Sequence, residues 1–335
     1  MNLELLDRAT KNIRDIINLS ILHAPSNNAL VVYDAQCGLT SILAEAYRKA
    51  LPTASFIDFD ATDKAEIIKR FDSLKPQDLV VLIQSSSFRL NEFRIRIHLF
   101  EKKLKVIEHT HLYRNDENTW DVYVDSLAYD PSWYLTMGPK IKSKLEKTQK
   151  LHTKGALAEL TVGAIETPKL NIGDYIGMEN IGGTFPIGEV FTEAKDFTTM
   201  NGSLMIYAYA GNNFTVSIHK PFQIDIREGL IVGWDSSTPR EFIDIVEEIK
   251  KTERPIIREI GFGLNRAITR ERYLKDITAF ERIFGMHFSL GEKHSVFKKE
   301  GIQTHKARFH VDLFPIVDSV TADGEKIFEN EKYLI

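Results

Sequence analysis

Near residue 150 the spacing of apolar residues changes, and this change constrains the fold more than any other feature of the chain. Before it, short apolar runs alternate with stretches of helical spacing. Ala29–Tyr33, Ser55–Phe59, Asp78–Ile83 and Lys105–His109 read as strands. Ser41–Leu51, Lys64–Leu74 and Asn91–Leu104 read as the helices between them. Strands separated by helices of this length form a parallel sheet with helices on its faces. Residues 1–150 are therefore expected to form an α/β, Rossmann-like domain. It lacks the dinucleotide fingerprint, because the first strand runs into Tyr33-Asp34-Ala35-Gln36-Cys37-Gly38-Leu39, with no Gly-rich phosphate loop.

A polar helix over Trp133–Lys150 leads out of this domain. Beyond Gly155 the chain becomes β-rich, with short stretches at Leu157–Val162, Leu204–Ala210, Thr215–Ile218 and Leu230–Trp234. One clear helix interrupts them, Pro239–Lys251, with Ser236 to Thr238 available as caps. Residues 151–335 are expected to form an α+β domain with a curved or barrel-like sheet.

The net charge of −4 does not favour nucleic acid or an anionic membrane as an electrostatic partner. The basic cluster Lys140–Lys150 alternates with apolar residues and reads as a solvated helix face. No run approaches the roughly 20 apolar residues of a membrane span. The amphipathic N-terminus, Met1 to Asn18, lacks the order of a signal peptide. A cytoplasmic protein is expected. The single cysteine, Cys37, excludes an internal disulfide and a multi-thiolate zinc site.

Four segments of the second half place a carboxylate or an imidazole among apolar or small neighbours. They are Gly188–Thr192 with Glu189, Arg258–Gly263 with Glu259, Gly285–Phe288 with His287, and Phe309–Leu313 with His310 and Asp312. Such groups are costly to bury unless paired, hydrogen-bonded or bound to a metal. In a strand over Phe309–Leu313, His310 and Asp312 point to one face and reach one metal or two adjacent ones. A hydrogen-bonded His–Asp pair, a satisfied core His287, and an ion pair of Glu259 with Arg258 or Arg266 are the competing structural readings.

Taken together, these segments resemble the aminopeptidase T family of metallopeptidases. Thr184–Thr192, Arg258–Asn265, Gly285–Gly291 and His310-Val311-Asp312 are each similar to one of its signatures, in the same order, and Asp323–Ile327 resembles its closing turn. The resemblance implies that Glu189, Glu259, His287, His310 and Asp312 bind two divalent metal ions, zinc, cobalt or manganese. It also implies removal of N-terminal residues from peptides by a two-metal-activated water, in a homodimer. The family has a tyrosine seven residues after the histidine of the third signature. Here that position is His294, which is the candidate catalytic residue as a hydrogen-bond donor or a metal ligand. Val296–Gly301 replaces the Gly-rich stretch that normally follows. Two other readings share the fold. One is a peptide-binding pseudoenzyme. The other is a ring-cleaving dioxygenase holding a single Fe(II) on His287 or His294 with His310 and Asp312.

Overall fold

In a computed structural model, the chain is described except for residue 1, residues 91–93, 212, 295, 300, 301 and 303–305. The start of the helix expected from Asn91 and the end of the Val296–Gly301 stretch thus lie outside the described residues. The chain divides into two compact units. One takes the chain to Tyr134 together with Gly173–Ile187 and Arg272–Ala279; the other takes Leu135–Ile172, Gly188–Glu271 and Phe280–Ile335. The single boundary expected after residue 150 is replaced by this interleaved arrangement.

The first unit holds a five-stranded parallel sheet. Its order is Ser55–Asp58, Ala29–Tyr33, Leu79–Ile83, Lys105–His109 and Gly182–Thr184. Leu30, Val32, Val80, Leu82 and Val106 pack with Ile67, Phe71 and Leu99 in one core cluster. The Gly38–Ala50 helix packs on the two central strands, and Val31, Val81 and Ile107 are fully buried. With both faces covered, the central strand needs no polar alternation and reads Leu-Val-Val-Leu-Ile. The Lys64–Asp72 helix begins at Asp63, whose carboxylate accepts the Ala65 N–H at 2.8 Å.

His109 ends its strand in the core, fully buried. Its Nδ1 lies 3.0 Å from the Tyr123 hydroxyl and its Nε2 2.9 Å from the Tyr47 hydroxyl. Tyr123 donates its own proton to the Phe185 carbonyl at 3.3 Å, so Nδ1–H donates to Tyr123 and Tyr47 donates to Nε2. Burial pushes the imidazole down to about 3. The unfolded chain takes up this proton near the ordinary value of 6.5. Between those values the unfolded state binds more protons, so acid destabilises the fold by up to about 1.4 kcal/mol per pH unit through this residue. His109→Gln keeps a donor and an acceptor but does not titrate. Urea unfolding of this variant is expected to depend less on pH than wild type below about pH 6.5. Equal slopes would contradict the assignment.

The second unit is built on a curled, mostly antiparallel sheet of 13 strands. The Arg240–Lys250 helix buries Phe242, Ile245, Val246 and Ile249, the i, i+3, i+4, i+7 stripe visible in its sequence. It starts after Pro239 without a side-chain cap; instead Asp235 accepts the Ser237 N–H at 2.8 Å in the turn before it. Four strands adjacent within the sheet carry the charged segments: Glu189–Glu193, Ile257–Gly263, Gly285–Leu290 and Val311–Pro315, in that order.

Candidate metal centre

Antiparallel pairing brings side chains distant in sequence onto one face. Phe191 lies opposite Gly261, and Gly261 opposite His287; Glu193 lies opposite Glu259, and Ser289 opposite Asp312. Alternation adds Glu189 to the same face as Phe191 and Glu193. The strand expected over Phe309–Leu313 is found at Val311–Pro315, so His310 stands just before it rather than within it. His310 still turns towards Asp312, with Nε2 3.2 Å from Oδ1.

Two glycines make the convergence sterically possible. A Cβ on Gly261 would lie 2.0 Å from Cε1 and 2.3 Å from Nε2 of His287, so the imidazole lies across a strand that has no side chain there. A Cβ on Gly263 would lie 1.8 Å from the Ile283 carbonyl oxygen. Its absence lets this segment close in, with Arg282 paired to Glu189 and, at 2.8 Å, to Glu281.

His287 Nε2 lies 3.2 Å from Glu189 Oε1 and 3.4 Å from Glu259 Oε1. His294 Nε2 lies 2.6 Å from the other Glu259 oxygen. Two groups have donor atoms within 4.8 Å of one another, Glu189–Glu259–His287 and Glu259–His310–Asp312. They share Glu259. All five residues predicted as metal ligands fall in these groups, and His294 sits beside them on Glu259 without belonging to either.

Hydrogen bonding alone does not satisfy this cluster. Glu189 Oε1, Asp312 Oδ1 and both ring nitrogens of His287 are buried without a hydrogen bond, the 3.2 and 3.4 Å contacts lacking its alignment. Such orphaned atoms are rare in protein interiors, and a bound ion is one of their ordinary explanations. The electrostatics also call for cations. Burial works against a charged His287 or His310, yet the surrounding carboxylates hold both well above the usual imidazole range. Burial raises Glu259, but His287 and His294, followed by His310, outweigh it and hold its carboxyl well below the usual range. Burial pushes nearby Glu281 up to about 8, against the pull of Arg282. Three buried carboxylates thus compete for positive charge that protons or divalent ions can supply. His310 donates Nδ1–H to the Lys293 carbonyl at 3.0 Å, so Nε2 is the nitrogen that faces the cluster, where a divalent ion would take the place of its proton. Zinc, cobalt and manganese all suit this nitrogen and oxygen donor set.

The sequence offered Arg258 or Arg266 as partners for Glu259. Arg258 instead pairs with Glu193, at 2.8 Å, both side chains being fully buried. A register shift between Ile257 and Ile260 breaks the alternation here. Glu193 and Arg282 were not anticipated. Both carried the signal used for the others: a charge among apolar residues and, for Glu193, an even spacing from Glu189.

The fold and cluster define a two-domain architecture whose curled half-barrel sheet gathers residues able to hold metal. Two enzymes of known structure share that architecture over nearly their whole length. One is 2,5-dihydroxypyridine dioxygenase from Pseudomonas putida KT2440, with a TM-score of 0.65, 13% identity, and coverage of 98% of this chain and 97% of that one. The other is AmpT, aminopeptidase T, from Thermus thermophilus, with a TM-score of 0.60, 12% identity, and coverage of 98% and 99%. At these identities the likeness is one of fold. No protein-family model and no curated protein matches the chain. Among the described residues, no helix is long and apolar enough to cross a membrane.

Proposed function

We propose that this protein is a metal-dependent aminopeptidase that removes N-terminal residues from peptides, and that His294 assists from beside the ions. The carrying observation is the pair of donor groups sharing Glu259. A mononuclear iron site needs one triad with open positions, whereas two overlapping triads suit two ions. Glu189, Glu259 and His287 would hold one ion, and Glu259, His310 and Asp312 the other. Two such ions would lower the pKa of a water and polarise a peptide carbonyl.

The chain's own residues supply the setting. Arg282 holds one Glu189 oxygen and leaves the other facing His287. His294 holds the outer oxygen of Glu259. The carboxylate-rich face attracts the free ammonium group of a peptide. Glu281, with its raised pKa, is available to exchange a proton near neutrality. A homodimer with an enclosed site belongs to the same reading.

The test uses the purified protein loaded with zinc, cobalt or manganese and a panel of unblocked aminoacyl anilides and short peptides. Hydrolysis is expected, lost on chelation and restored by the divalent ion. A fully loaded protein that is silent on the panel but binds peptides would indicate the pseudoenzyme. Ring cleavage of a dihydroxypyridine with one bound iron would indicate the dioxygenase. Activity surviving exhaustive chelation would overturn the metal-dependent reading.

A further inference from the structure

His294 and His310 both border the candidate centre, but their backbone partners treat the two rings oppositely. On His310 the Lys293 carbonyl, which can only accept, fixes a proton on Nδ1 and turns Nε2 towards the cluster. On His294 the backbone N–H groups of Val296 and Phe297 both donate to Nδ1, at 3.1 and 3.3 Å. That nitrogen is therefore the unprotonated one, and the neutral ring carries its proton on Nε2. From there it donates to Glu259 Oε2 at 2.6 Å. An Nε2–H has no lone pair in the ring plane to give to a metal.

The residues that flank His294 are held by Arg258, a large and fully buried side chain. Its guanidinium donates to the carbonyl of Glu292 before His294 and, at 2.6 Å, to that of Phe297 after it. Its Nε donates to Glu193 at 2.8 Å. Lys299, farther along the same segment, lies 3.6 Å from the second Glu193 oxygen and pairs with Glu166. The segment is thus tied to the sheet through one buried carboxylate, at the far end of the Glu189–Glu193 strand from the Glu189 side of the cluster. Phe191 and Phe297 flank the His294 ring, at 6.0 and 5.1 Å between centroids.

We infer that Arg258 is a positioning residue that locks His294 as an Nε2–H donor, so that His294 orients the shared Glu259 and is not itself a metal ligand. The inference rests on the two-triad reading of the site. It gives the position held by tyrosine in the resembled family a hydrogen-bonding role here, played by another residue type. Outer-shell partners of this kind change metal affinity by about 10–100-fold when removed.

The test is nitrogen NMR of the full chain with labelled histidine, metal-free and loaded with cadmium-113 as a probe. In the unsubstituted protein His294 should show a protonated Nε2 and an unprotonated Nδ1 in both states, with no cadmium coupling, while His287 and His310 couple. Cadmium coupling to His294, or a proton on its Nδ1, would overturn the inference. Arg258→Lys keeps a charge for Glu193 but cannot span both carbonyls. It should give a mixture of His294 tautomers and about 10–100-fold weaker cadmium binding. An unchanged tautomer and affinity in this variant would overturn the role of Arg258. His294→Gln retains an N–H donor and should bind cadmium more tightly than His294→Phe; equal affinities would overturn the donor role. The two-triad reading fails separately, as a cadmium count other than two in the unsubstituted protein.

Discussion

Glu259→Gln is expected to abolish paired metal binding and, with it, hydrolysis of unblocked peptides. Glu259 is the only residue common to both donor groups, and its two oxygens face different sides of the cluster. An amide offers one weak oxygen donor and carries no charge. The loss should exceed the about 10–100-fold typical of outer-shell substitutions, because both ions lose a charged ligand. The fold should survive, since the metal-free cluster already crowds three carboxylates. Elemental analysis, turnover and thermal unfolding of the same preparation check this. A variant that still holds two ions and retains wild-type turnover would remove Glu259 from the centre.

The second large effect is on stability. Arg282→Met leaves Glu189 and Glu281 without their guanidinium, in a place where Glu189 is 4% exposed. Removing one partner of a buried ion pair typically costs about 3–5 kcal/mol, because the remaining charge is stranded. The metal-free variant is therefore expected to unfold at markedly lower urea concentration than metal-free wild type. A divalent ion bound beside Glu189 would restore part of the missing positive charge. The gap between variant and wild type should then narrow when both are loaded. A gap that is unchanged by metal would mean that Arg282 and the ion do not act on the same carboxylate.

Much of this architecture can be read from residue pattern. The run Leu79–Ile83 announces a strand covered on both faces, and the stripe Phe242, Ile245, Val246, Ile249 announces a helix with one buried face. The metal-competent residues are legible for a related reason. Glu189, Glu259, His287 and Asp312 sit among apolar or small neighbours, where a lone charge is costly.

What the pattern does not carry is pairing across sequence distance. That Glu193 faces Glu259, or that Gly261 clears space for His287, depends on strand register. The partner of Arg258 is hidden by the irregularity between Ile257 and Ile260, because alternation is lost at the residue in question. The interleaving of the two units is hidden as well. Gly173–Ile187 and Arg272–Ala279 are too short to have a texture of their own, and their membership is set by contacts with the N-terminal part of the chain. The role of His294 was open in the sequence because its spacing from His287 says nothing about which ring nitrogen carries the proton. The backbone of Val296 and Phe297 supplies that information.

The proposed chemistry depends on an arrangement in which two ions are held by two triads sharing one glutamate. Its most direct test is the number of tightly bound divalent ions per chain in the zinc-loaded protein and in Glu189→Gln and Asp312→Asn, each of which disables one triad. Two ions are expected in the unsubstituted protein and one in each variant. A single ion in the unsubstituted protein, held as well in Glu189→Gln but lost in Asp312→Asn, would contradict it and point to a mononuclear centre on the His310–Asp312 side.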